Sequence, residues 1–141
     1  MENRTISEEY ARIGEELIET EPELAYIRDS GVSIVYLSSD LKKRDSKATE
    51  TLGQCEKIQS KYKWGIPCDF TITLFEPNIE GLSDEQLRIL IFHELLHIGV
   101  DYDGKTFVRP HDLEDFKAIV DRYGTDWAKM FKRMEAAGVN T

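Results

Sequence analysis

Residues 84–98, DEQLRILIFHELLHI, decide how this chain is read. Ser83 and Gln86 form the S-x-x-Q pattern of a capping box, so a helix is expected from about Asp84 to Ile98. Leu87, Ile89, Leu90, Ile91, Phe92, Leu95, Leu96 and Ile98 point in almost every direction around its axis. A helix that is apolar all round belongs in a core. Three polar side chains, His93, Glu94 and His97, are nonetheless set into it. Burying each of them without a partner would cost roughly 1–3 kcal/mol, so the fold must satisfy them.

The spacing says how. His93-Glu94-Leu95-Leu96-His97 is HExxH. Helical residues four apart lie about 40° apart around the axis and about 6 Å apart along it, so both imidazoles reach one ion. Glu94 adjoins the first histidine, where its carboxylate reaches a water activated at that ion. Imidazole nitrogen suits Zn2+, and a catalytic zinc site keeps one position for water. The alternative is two buried histidines bonded to backbone, with Glu94 paired to an arginine.

A three-ligand site needs one more group. The remaining histidine is His111, followed by Asp112. With HExxH already present, His111 is the expected third ligand. Asp112 either orients a ligand histidine or caps the next helix. Asp103 and Glu114 are the competing oxygen donors. Gly99 is expected to end the helix, Gly104 to turn the chain and Pro110 to stiffen the approach to His111. The Asp101-Tyr102-Asp103-Gly104 turn accounts for Asp103 without a metal. It mimics part of a calcium loop but lacks the later glutamate. The spacing HExxHxxGxxH fails, because Val100 and Asp103 stand where glycine and histidine would be needed.

Outward from the motif, residues 69–75 (DFTITLF) alternate Phe70, Ile72, Leu74 against Thr71, Thr73, Phe75, the period of a strand. Pro67 and Pro77 bracket it, and its place just before the metal helix suggests a sheet edge beside the site. Residues 32–37 (VSIVYL) read as a buried strand, and another is expected near 54–59. Thr5 with Glu8 offers a capping box for a first helix carrying Ile6, Tyr10, Ile13, Leu17 and Ile18. Pro22 fits the first turn of a short second helix that Asp29-Ser30-Gly31 stops. Lys42-Lys43-Arg44 reads as a solvated loop rather than a phosphate site. Downstream, Leu113, Phe116, Ile119, Val120 and Tyr123 stripe one helix, and Trp127, Met130, Phe131 and Met134 another, as core faces.

The chain has 141 residues, one domain's worth. Its 27 acidic and 18 basic residues give a net charge of −9, which argues against a nucleic-acid partner. No apolar run exceeds four residues, far short of the roughly 18 of a membrane span. The N-terminus lacks the pattern of a secretory signal, so a cytoplasmic location is expected. Cys55 and Cys68, too far apart for usual zinc spacing, are expected to be free thiols.

The segment FHELLHIGVDYDGKTFVRPHDLEDFKAIVDRYGTDW resembles the phage metallopeptidase family, a zincin group also similar to SprT-like metalloproteases. The shared marks are HELxH, a short loop, then His-Asp, then an amphipathic helix ending in Tyr-Gly. The Asp69-Phe70 strand and the Leu52-Gly53 pair are similar too. The resemblance implies a zinc site from His93, His97 and His111, with Glu94 as general base. The resemblance spans about Val32 to Trp127, and the expected fold is a single α+β zincin-like domain over residues 1–141: a small β-sheet, a buried HExxH helix and flanking helices.

The function expected is zinc-dependent hydrolysis of peptide bonds, on a peptide or protein substrate, with Tyr102, Arg109 and Tyr123 as candidate donors to the oxyanion. The alternative is a non-catalytic metal-binding or assembly protein that retains an HExxH site. No membrane and no nucleic acid is expected as a partner; substrate and oligomeric state are not encoded legibly.

Overall fold

The segment FTITLF becomes β4 (Phe70–Phe75), one of the two central strands of a four-stranded sheet in a computed structural model that describes residues 1–45, 48 and 50–110. The other strands are β1 (Arg4–Ile6), β2 (Ile34–Ser39) and β3 (Gly53–Lys57), in the order β1-β2-β4-β3. β2 and β4 run parallel, in register Ile34↔Phe70 to Ser39↔Phe75. β1 pairs antiparallel with β2, and β3 antiparallel with β4. The expectation that residues 69–75 form a sheet edge is therefore wrong. The alternation read as half-buried is buried on both faces: Phe70, Ile72 and Leu74 join the main core, while Thr73 and Phe75 are also fully buried. The second face is covered by long cations, with the Arg4 guanidinium 5.9 Å and the Lys43 ammonium 5.5 Å from the Phe75 ring. The edge strands are β1 and β3, and β3 is the one that flanks β4.

Helices pack on the other face. α1 (Glu8–Thr20) is capped by Ser7, whose side chain accepts from the Tyr10 N–H. The Thr5–Glu8 box does not form, because residues 4–6 pair with β2 and the Ser7 N–H extends that ladder to the Tyr36 carbonyl. Ile6 is accordingly exposed rather than part of the helical stripe. A 3₁₀ turn, Pro22–Leu24, leads into α2 (Ala25–Ser30), which Gly31 ends at φ +71°, as the stop signal predicts. After β4 comes α3 (Glu76–Ile79), where Asn78 donates to the carbonyls of Lys43 and Thr51 and pins the 40s loop.

α4 (Asp84–Leu96) begins with the expected capping box, Ser83 with Gln86. Ile89 to Leu96 is buried without interruption, as its uniform apolarity requires. The helix ends earlier than expected: His97 is its C-cap, and Ile98 opens a hairpin of β5 (Ile98–Val100) and β6 (Thr106–Val108). Gly99 is not the helix stop. It lies in β5, where the Phe107 ring occupies the space of a side chain, 2.4 Å from where a Cβ would be. The turn between the two strands is the anticipated one. Gly104 takes φ +81°, and Asp101 Oδ1 accepts from the N–H groups of Asp103 and Lys105. The stripes expected in residues 112–134 lie outside the described residues. The architecture is α+β, a small sheet with several helices, and no helix among the described residues is long and apolar enough to cross a membrane.

Candidate metal centre

α4 carries His93 and Glu94 into the core, and its C-cap is His97. His93 is 2% exposed, Glu94 0% and His97 4%. The two imidazole rings stand edge to face with centroids 5.2 Å apart and planes at 72°, the neighbourly placement expected of residues four apart.

The hairpin that follows fixes His97. The Arg109 N–H donates to the His97 carbonyl at 2.5 Å, and His97 Nδ1 lies 2.7 Å from the Arg109 carbonyl oxygen. A carbonyl only accepts, so Nδ1 carries the proton in that bond. In the neutral ring the lone pair then sits on Nε2, the nitrogen through which such a histidine ligates a metal. Two imidazoles four residues apart, one of them oriented by a backbone carbonyl at Nδ1, are a donor set that fits zinc.

Glu94 lies against the edge strand. A Cβ at Gly53 would meet Glu94 Oε2 at 3.1 Å and Leu74 Cδ2 at 2.9 Å, so glycine lets β3 approach the carboxylate. Cys55, two residues along the same face, is the other neighbour. Burial, and then the Glu94 charge, push its thiol well above the ordinary range. Both cysteines are free thiols, as expected. Behind the site, the Tyr26 hydroxyl donates to the Ile98 carbonyl at 2.5 Å. Burial raises the Tyr26 phenol, against the opposing pull of the Arg109 guanidinium.

The remaining expected site residues separate into two groups. His111, Asp112, Glu114 and Tyr123 lie outside the described residues. Asp103 and Tyr102 lie at the far end of the hairpin from His97, both exposed, with Tyr102 99% accessible. Among the described residues, no three His, Cys, Asp or Glu side chains are grouped to hold a metal, so Asp103 does not complete a set with the two histidines. Arg109 meets His97 through its backbone, while its guanidinium lies beside the Tyr26 phenol. The sequence also gave no direct sign of Tyr26 or Cys55 as neighbours of the site, since both arrive from other elements.

With this geometry in view, the comparison with known families is decisive. A family model described as "Putative phage metallopeptidase" matches residues 3–135. The chain belongs to that family. No curated protein and no solved structure matches it. Membership in the phage metallopeptidase family implies a metal cofactor and peptidase activity, and agrees with the imidazole pair on α4.

Proposed function

We propose that this phage metallopeptidase family member is a zincin-like, zinc-dependent peptidase, with zinc held by His93, His97 and His111 and Glu94 as general base. The observation that carries the reading is the His97–Arg109 pair of hydrogen bonds. It sets the His97 tautomer for metal binding. It also pins the chain at residue 109, from which His111 is two residues away, a covalent reach of about 7 Å. A third imidazole is thus within reach of the first two, as the hairpin tip is not.

Zinc, when bound, acidifies a water and polarises the scissile carbonyl. Glu94 takes the proton of the attacking water and passes it to the leaving amine. Burial of Glu94 beneath β3 keeps the carboxylate aimed and excludes competing water. The substrate peptide adds to the free edge of β3 by backbone pairing. Leu52 and Ile58, flanking β3, continue its ladder at either end, through Phe75 N–H to Leu52 O and Ile58 N–H to Asp69 O. Alternation along an antiparallel ladder then turns the N–H and C=O groups of Gly53, Cys55 and Lys57 outward, to the side without a strand partner among the described residues. The test is zinc per chain in purified protein together with cleavage of a broad peptide library. Protein that binds no zinc, or that loaded with zinc cleaves nothing in the library, would refute the reading.

A further inference from the structure

β3 connects the Glu94 carboxylate to a second feature. Gly53, Cys55 and Lys57 occupy one face of the strand, the face against α4. Lys57 is four residues from Gly53, about 13 Å along an extended chain. There it lines an open pocket of about 660 Å³ between β3, the loop that follows it and the β5–β6 hairpin. Lys63 and Lys105 line the same pocket, with Asp69 and Asp101.

The two carboxylates are committed. Asp69 is bound by Lys63 Nζ at 2.5 Å and by the Ser33 N–H at 2.9 Å. Asp101 Oδ1 accepts the N–H groups of Asp103 and Lys105, both at 2.9 Å. Among the described residues neither the Lys57 nor the Lys105 ammonium has an ion-pair partner within 4.0 Å. The surrounding sequence is unusual for so acidic a protein. Residues 57–68 hold three lysines and form its longest stretch without Asp or Glu. Among the described residues the pocket therefore offers two lysines without an ion-pair partner, in a chain whose net charge of −9 repels anions as a whole.

We propose that this pocket is a specificity subsite for an acidic side chain of the substrate peptide, held between Lys57 and Lys105 about four residues from the bond that is cut. The proposal rests on the peptidase reading and on a peptide lying along β3, and it names the substrate class: a protein segment with Asp or Glu at that distance. Exposed Tyr62 and Trp64 beside the lysines also offer stacking surfaces to single-stranded nucleic acid. Continuity with the Glu94 face of β3 favours the peptide.

The experiment measures binding of three labelled probes, oligoglutamate, oligolysine and oligothymidylate, to the full-length Glu94→Gln protein at low and high salt. The same probes are titrated against Glu94→Gln carrying Lys57→Glu and Lys105→Glu. A Lys57→Met and Lys105→Met version serves as control, with thermal melting showing that each variant is folded. Oligoglutamate should bind best, weaken with salt, and lose affinity about tenfold or more on charge reversal, with an intermediate loss in the methionine version. Equal binding of oligoglutamate and oligolysine, an unchanged affinity after reversal in folded protein, or binding of oligothymidylate alone would overturn the subsite. Because binding is read on protein without its general base, absence of hydrolysis in the wild type would count against the peptidase reading and leave this result standing. Cleavage by the wild type with no oligoglutamate binding would do the reverse.

Discussion

The backbone of Gly53 packs directly against the carboxylate of Glu94: a methyl group at 53 would lie 3.1 Å from Oε2 and 3.3 Å from Cδ. The contact joins the edge strand to the metal helix at the proposed general base. It accounts for a glycine at the first position of β3, where another side chain approaches the backbone closely. The left-handed region is not involved, since Gly53 is not among the residues of positive φ.

Gly53→Ala should accordingly damage activity out of proportion to stability. The Leu74 methyl can swing aside, at a cost of about 1–3 kcal/mol for overpacking. The carboxylate can yield only by leaving its aim, and a misplaced base loses turnover by roughly a hundredfold. Thermal unfolding and peptide cleavage on one preparation check this; wild-type turnover in the folded variant would contradict it.

Glu94→Gln should keep zinc and fold while lowering hydrolysis by about 10²–10⁴, the usual worth of a general base. The amide has the carboxylate's shape and no basicity. Zinc content, melting temperature and turnover together test the assignment, and near-wild-type turnover would end it.

Zinc affinity should separate the candidate third ligands. His111→Ala is expected to weaken zinc binding strongly, whereas Asp103→Ala, at the exposed hairpin tip, should leave it unchanged. Glu114→Ala should resemble Asp103→Ala. Calorimetric titration with zinc reads all three, and a wild-type affinity in His111→Ala would overturn the ligand set.

Acid stability should depend on Asp69. The Lys63 ammonium, then the Ser33 N–H, hold its carboxyl below the ordinary carboxylate range. A carboxyl lowered on folding contributes stability above its unfolded value, near 4, and that contribution is lost as pH falls through the folded value. Asp69→Asn should therefore cost about 1 kcal/mol at neutral pH, with the difference from wild type closing below about pH 4. Melting temperatures across that range decide it; a gap that widens in acid would be the wrong sign.

Proline substitution in β4 tests the strand's place in the sheet. Proline at Thr71 or Thr73 would be harmful to cleavage but tolerable to the fold if β4 were an edge. With β4 paired to β2 and β3, Thr73→Pro should unfold the protein instead, by about 3 kcal/mol or more, as chemical denaturation would show.

Local chemistry made the metal helix readable in advance. The Ser83–Gln86 box, the all-round apolarity of residues 87–98 and the HExxH spacing are each contained within one or two helical turns, so the sequence by itself determined that His93, Glu94 and His97 would be buried together. The same holds for the Gly31 stop and the Asp101–Gly104 turn, where side-chain-to-backbone bonds act over a few residues. Tertiary pairing decided the rest. Alternation in residues 69–75 marks a strand but not how many neighbours it has, because a central strand and an edge strand share a period of two. Only the ladders to β2 and β3 made β4 central and left β3 at an edge. Likewise nothing within residues 97–109 announces that the Arg109 backbone closes on His97, or that Gly53 faces Glu94 from forty residues away. Those contacts exist because the sheet and the hairpin are brought onto α4 by long-range hydrogen bonds and core burial, which no local pattern records.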